Sequence, residues 1–515
     1  MADEKTTMKK TLGLTGVTVN AMALIAPGAF LWITYQLQAS NTGGATDMWS
    51  GILAALIVAF LTAYSFSQMA RRYPDAGAGG SYYFAERAFL DREKASHKRF
   101  ARLAKFVTGW AAHLYYWVYP GVMVAMMATL VTYICGEFNV PLSVPVQILI
   151  AVSFALFVGF IAVRGITGST NVAIAINVVQ LVSLIGFSVL AILFRVENPL
   201  HATHWAYPSA SSILIPHNLS AMLFQSTIAI LILVGFESST SLAGEAINPK
   251  RDIPRGVILS LVIQGLFAYL FEYFAANYAV SNKLVYVGSN GTKLTGMAAA
   301  AASGAPIGDL TKLIGNAMLG GNGFALMIVV ALTVGLAVLG TTLAAINTGV
   351  RVSFAIAQDK EMPGVLGALH PRHATPHVGV WLLVIVSAVI GSIGVLSVTA
   401  LTGITLVSNI GTFALYGLIC FFTFVTFAGR SEFHGVKHAI VPIIGLLGNI
   451  AMLIAVVLIG LGTPGVSQDA TKMALYITGG WTLVSVGYLV LNSRKAGRAI
   501  LPSVASVEQL SGANK

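Results

Sequence analysis

Charge is scarce along this chain. Of 515 residues only 10% are Asp, Glu, Lys or Arg while 56% are hydrophobic, a balance that excludes an ordinary soluble globular protein and a disordered one alike. Cysteine is nearly absent. Cys135 and Cys420 lie in different apolar segments, which excludes a disulfide framework and gives no metal-ligand spacing. Paired catalytic carboxylates, a nucleophile with a base at useful spacing and a phosphate-binding glycine loop are also missing, so the sequence points to no enzyme, resident metal or cofactor. No long polar window separates soluble domains, and the start, MADEKTTMKK, is too polar for a cleavable signal peptide.

What fills the chain is apolar runs, several longer than the roughly 18 residues of a membrane span. They predict an all-α polytopic membrane protein with twelve transmembrane helices. The expected divisions are a tail at 1–12, five helices over 13–194, five more over 219–427, helices eleven and twelve over 439–492, and a second tail at 493–515. The net charge of +11 needs no nucleic acid to explain it. With both termini cytoplasmic, all but five of the 30 lysines and arginines fall on the cytoplasmic side, the exceptions being Arg195, Lys283, Lys293, Lys312 and Lys472. That is the positive-inside pattern of a multi-pass protein of the cytoplasmic membrane.

The organising stretch is Ile230–Gly256, ILILVGFESSTSLAGEAINPKRDIPRG, where an apolar helix meets Gly235, admits Glu237 and runs through four hydroxyl residues into a basic turn. A carboxylate in mid-bilayer marks a functional site unless it only bonds a neighbouring helix. The first span carries a second interruption at Ile25-Ala26-Pro27-Gly28-Ala29, where proline lacks an amide hydrogen. Alone it reads as a kink. The two interruptions, however, occupy corresponding places if ten spans form two five-helix repeats, and paired breaks of that kind point to the midplane site of a transporter. Glu272, in span seven, is the second intramembrane acid, placed either in an outer vestibule or against a neighbouring Tyr or Asn. His113 is a packed imidazole or a proton relay. The Gly- and Ala-rich residues 281–321 are a candidate lid.

These residues resemble the amino acid/polyamine/organocation transporters. The carrying motif is GFESSTSLAGEAINPKRDIPRG, with Gly235, Phe236 and Glu237 at the unwound centre of helix six, followed by Glu245, Asn248, Pro249, Arg251 and Pro254. YPDAGAGGSYYF after span two and RVSFAIAQDKEMPGVLGALHPRHATP after span eight extend the match. The resemblance implies a five-plus-five inverted repeat, broken helices one and six, and alternating access between them. It also implies that Ile25, Ala26, Gly28, Ala29, Val234, Gly235 and Phe236 hold the main-chain groups of a substrate, with Glu237 in gating or proton coupling. Three departures stand out. Ala26-Pro27-Gly28 replaces the usual Gly-Ser-Gly, Leu231 stands where relatives carry a closing aromatic, and Gln180 stands where some carry a lysine in place of a sodium ion. Thr341 and Thr342 resemble the hydroxyl pair of a sodium site, or else bond their own backbone.

The expected function is therefore a secondary transporter of amino acids, coupled to Na+ or H+ or working by exchange, with a small-molecule substrate and the lipid bilayer as partners. A transporter of polyamines or other organic cations is the alternative, since Glu237 and Glu272 have no intramembrane Lys or Arg to neutralise them. A non-transporting receptor or scaffold on this fold is the reading from another class.

Overall fold

The computed structural model describes residues 10–25, 29–40, 45–75, 79–165, 170–288, 290–373 and 375–512. They form an all-α bundle in which eleven helices are long and apolar enough to cross a membrane, beside the shorter apolar helix Leu14–Ile25. That helix and Ala29–Ala39 make up the first span; Ala26, Pro27 and Gly28, named above, lie outside the described residues. The spans that follow are Met48–Arg72, Ala101–Glu137, Val144–Val163 and Thr170–Glu197. The sixth is built of Leu219–Ala229 and two 3₁₀ segments, and the seventh runs from Pro249 to Ala279. Gly323–Gln358, His377–Gly394, Val398–Phe427, Val441–Gly462 and Val466–Ala496 complete the set.

Helix ends follow local chemistry. Asn218 opens the sixth span by accepting from the amides of Ser220 and Ala221 at 2.8 and 3.1 Å. Pro145 and Pro249 each stand in the first turn of a span, where the missing amide hydrogen costs nothing. Gly497 closes the twelfth in the left-handed conformation. The third span passes through Pro120 as one continuous helix.

Burial sorts the spans into core and shell. Most of the third and tenth is buried, whereas Leu149 and Phe157 of the fourth and Leu483 of the twelfth are exposed apolar side chains, as expected where a helix faces lipid. Ionic contacts tie the spans together at both ends. At the basic end the amides of Thr11 and Leu12 donate to the Glu245 carbonyl, Arg351 pairs with the Glu245 carboxylate at 2.9 Å, Lys105 bridges Glu86 and Asp359, and Arg102 grips Glu361 with two nitrogens. At the other end residues 281–321 fold into a two-stranded ribbon, Val285–Val287 with Lys293–Thr295, and helices Gly296–Ala302 and Pro306–Met318. The last of these lies on Trp32 and Tyr133, close enough that a Cβ at Gly308 would come within 2.6 Å of the Trp32 ring. Tyr133 and Ser303 both donate to Asp309, and Lys312 pairs with Glu137. Burial pushes the Asp309 carboxyl up from its ordinary value, against the pull of those two hydroxyls.

Candidate functional site

A helix that ends inside a bilayer leaves its last four carbonyls without partners in its own backbone, and no water is there to take them. The described part of the first helix runs to Ile25. Each of its last four carbonyls accepts from a side chain of another helix: Met22 from Gln264 Nε2 at 2.9 Å, Ala23 from Thr341 Oγ1 at 3.1 Å, Leu24 from Tyr119 at 3.1 Å and Ile25 from Tyr269 at 3.0 Å. All four donors are fully buried. Gln264 and Tyr269 lie in a π-helical stretch of the seventh span, Val262–Tyr269. Winding with i→i+5 bonds puts residues five apart on nearly one face, so both reach the same helix end.

The sixth span unwinds beside it. After Ala229 the chain makes a 3₁₀ turn, Ile230–Ile232, passes Leu233 and Val234, and reverses at Gly235 with φ of 120° before a second 3₁₀ segment, Phe236–Leu242. Only glycine fits there on two counts. The dihedral is unfavourable for a side-chain-bearing residue, and an added Cβ would stand 2.9 Å from the Ile25 amide nitrogen. The end of the first helix and the bend of the sixth therefore touch.

Glu237 is pinned from three directions. Tyr116 of the third span donates to Oε1 at 2.9 Å, Tyr416 of the tenth donates to Oε2 at 2.6 Å, and the Gly235 amide donates to Oε2 at 3.0 Å. Phe236 packs on Tyr416 and Phe66, ring centroids 5.1 and 6.1 Å apart. The hydroxyl run turns back on its own backbone: Ser238, Ser239, Thr240 and Ser241 donate to the carbonyls of Gly235, Phe236, Glu237 and Ser238 at 2.6 to 2.8 Å. Those bonds satisfy carbonyls that α-winding would otherwise satisfy.

Ile25, Val234, Gly235, Phe236 and Glu237 thus come together, with Leu231 buried in the 3₁₀ turn two residues before the bend begins. Ala29 is the first described residue of the helix Ala29–Ala39. The remaining expected residues are placed differently. Thr341 reaches the Ala23 carbonyl as well as its own Ala337, but Thr342 donates only to Val338 of its own helix, so the two hydroxyls do not act alike. On the fifth span Asn177 is the residue whose Oδ1 meets Gln264, at 3.4 Å; Gln180 is buried, and its Oε1 has no partner among the described residues. His113 contacts Ser353 at 3.2 Å and stacks edge-on with Trp117. Of the two expectations for Glu272, an outer vestibule or a bond to a neighbouring Tyr or Asn, the bond is not found among the described residues. Glu272 is wholly buried, one turn from Tyr269, and neither oxygen has a hydrogen-bond partner among the described residues, whereas nearby Tyr35 donates to Asn277.

Sequence reasoning missed the tyrosines. Tyr116 and Tyr119 stand in the run HLYYWVY, which reads as aromatic packing, and Tyr269, Tyr416 and Gln264 drew no notice. The available signal was their polar tips, since a phenol deep in a membrane helix needs an acceptor.

A family model described as Amino acid permease matches residues 10–484. Among curated proteins, the methylthioribose transporter of Bacillus subtilis is 22% identical over 396 residues, covering 75% of each chain. The low-affinity putrescine importer PlaP of Escherichia coli is 24% identical over 273 residues, 53% of this chain and 54% of the importer. The branched-chain amino acid permease BcaP of Bacillus subtilis is 25% identical over 259 residues, 50% of this chain and 46% of that protein. The alignment spans about half the length of the last two.

Proposed function

The chain belongs to the amino acid permease family and is a multi-pass membrane transporter, and we propose that it carries an amino acid, held by its main-chain groups at the paired helix breaks. The observation that carries this reading is the contact of Gly235 with Leu24 and Ile25. In it a dipole-negative helix end, rich in carbonyls, meets an unwound segment that leads into a buried carboxylate. A substrate ammonium takes the place of the hydroxyl donors on the carbonyls of Leu24 and Ile25. The substrate carboxylate faces the second half of the span, on the side of Ala29. Val234, Gly235 and Phe236 line the opposite side, with Leu231 as a small, non-aromatic closure. Because Glu237 fastens the sixth span to the third and tenth, it is the residue through which occupancy of the break is felt by the surrounding helices.

The protein works by alternating access in the cytoplasmic membrane with both termini cytoplasmic, as the distribution of Lys and Arg supports. Coupling to Na+ engages the Ala23 carbonyl with the hydroxyls of Thr341 and Thr342, and coupling to H+ engages Glu237 or Glu272. Labelled uptake into proteoliposomes, with the sodium and proton gradients imposed separately, tests this. Accumulation of an amino acid under either gradient supports a symporter, and acceleration by internal substrate alone supports exchange. No uptake or counterflow across amino acids and amines overturns transport through this break.

A second reading, transport of an organic cation such as a diamine, is favoured by Glu272, whose two oxygens, without partners among the described residues, are ready acceptors for an ammonium. Glu272→Gln separates the two. Loss of amine uptake with amino acid uptake intact supports the cation reading.

A further inference from the structure

At the basic end, away from the helix breaks, a cavity of about 730 Å³ lies between the third and twelfth spans, under the turn after the eighth span and beside the C-terminal helix Val504–Gly512. Five cations line it. Arg102 is paired with Glu361, and Lys105 with Glu86 and Asp359. Lys98, Arg99 and Arg498 have no acidic partner among the described residues, and Arg99 Nε is buried without an acceptor. The deep part of the cavity has the opposite character. Phe106, Trp110, Trp481 and Leu489 form apolar walls, and the lining along the third span runs from Ala101 to His113, about 18 Å of helix. Val484, on the twelfth-span wall, is 63% exposed, so the cavity communicates with the lipid-facing surface.

We propose that this cavity binds one anionic phospholipid, its phosphate among Lys98, Arg99 and Arg498 and one acyl chain along the tryptophan-lined wall. The charges and the walls each select for it. Three cations without acids need an anion, and a soluble anion leaves the apolar depth empty. A chain about as long as that depth, joined to a phosphate and drawn from the bilayer, fills both parts. Tyr488, an exposed aromatic of the lining with a polar tip, matches the amphipathic interface such a lipid occupies. The site is coupled to the closure of the basic end because Arg102 and Lys105 line it too. A phosphate on Lys98, Arg99 and Arg498 thus lies beside the ion pairs of Arg102 with Glu361 and of Lys105 with Asp359, which hold the third span to the end of the eighth.

The test uses the purified full-length protein in detergent, with native mass spectrometry after titration with phosphatidylglycerol, phosphatidylcholine of the same acyl chains, or inorganic phosphate. The wild type is expected to retain a single phosphatidylglycerol at least about tenfold more strongly than phosphatidylcholine, since each basic residue near an anionic headgroup adds on the order of 1 kcal/mol. Combining Lys98→Ala, Arg99→Ala and Arg498→Ala should erase the preference while leaving the melting temperature in lipid-free detergent unchanged. Val484→Trp, which fills the apolar wall and leaves every charge in place, should weaken phosphatidylglycerol retention separately. Equal retention of the two lipids by the wild type, full retention by both variants, or inorganic phosphate binding as tightly as phosphatidylglycerol overturns the proposal.

Discussion

In the sixth span the carbonyls of Gly235, Phe236, Glu237 and Ser238 accept from hydroxyls three residues ahead, whereas in the first span those of Met22 to Ile25 accept from side chains 95 to 318 positions away. Both breaks face the same difficulty, since a bare carbonyl in a dry interior costs about 1–3 kcal/mol. One is mended by its own sequence. The other is mended by the third, seventh and eighth spans, so a displacement of the first helix relative to them exposes its carbonyls. The difference assigns the two breaks distinct roles. On the proposed transport reading, the sixth is the preformed bend and the first is the partner whose bonds are to be exchanged on opening.

The comparison can be broken by substitution, beginning where the two breaks touch. Gly235→Ala should have the largest effect, a loss of at least about tenfold in uptake with a lowered melting temperature, because a positive φ and a 2.9 Å approach to the Ile25 nitrogen together cost about 2–4 kcal/mol. Retained uptake at the wild-type rate would show that the bend tolerates a Cβ and that the helices are less tightly apposed. Glu237→Gln comes next. It disturbs the bonds to Tyr116, Tyr416 and the Gly235 amide together, and uptake should fall more than with Tyr416→Phe alone.

Tyr269→Phe and Tyr119→Phe each bare one carbonyl of the first helix. Each should lower apparent stability by about 1–3 kcal/mol, read as a shift in thermal unfolding in detergent. A cysteine placed near the break should also react faster with a soluble thiol reagent, as the closed arrangement loses a bond. Ser239→Ala should do least, about 0.5–1.5 kcal/mol, since its bond is local and the segment keeps its other three. If Ser239→Ala matches Tyr269→Phe in both readouts, the distinction between a self-mended and a tertiary-mended break is wrong.

The two carboxylates sharpen the same contrast. Glu237 has a full set of donors and Glu272 has none among the described residues, though both are buried acids in membrane helices. Composition marks both positions as costly and cannot tell them apart, because the donors that distinguish them come from the third and tenth spans.

Much of the architecture follows from local pattern. Apolar runs of span length, prolines in first turns and Asn218 as an N-cap set where helices begin, and the glycine and acid of GFE mark the sixth break, because each acts within a few residues of itself. Tertiary structure alone decided the rest. It made Thr341 differ from Thr342, brought Asn177 rather than Gln180 to Gln264, turned Tyr119 and Tyr269 from packing aromatics into caps for the first helix, and enclosed a cavity between the third and twelfth spans. The physical reason is distance along the chain: a hydrogen bond acts over about 3 Å, and whether two groups hundreds of residues apart come that close depends on how whole helices pack.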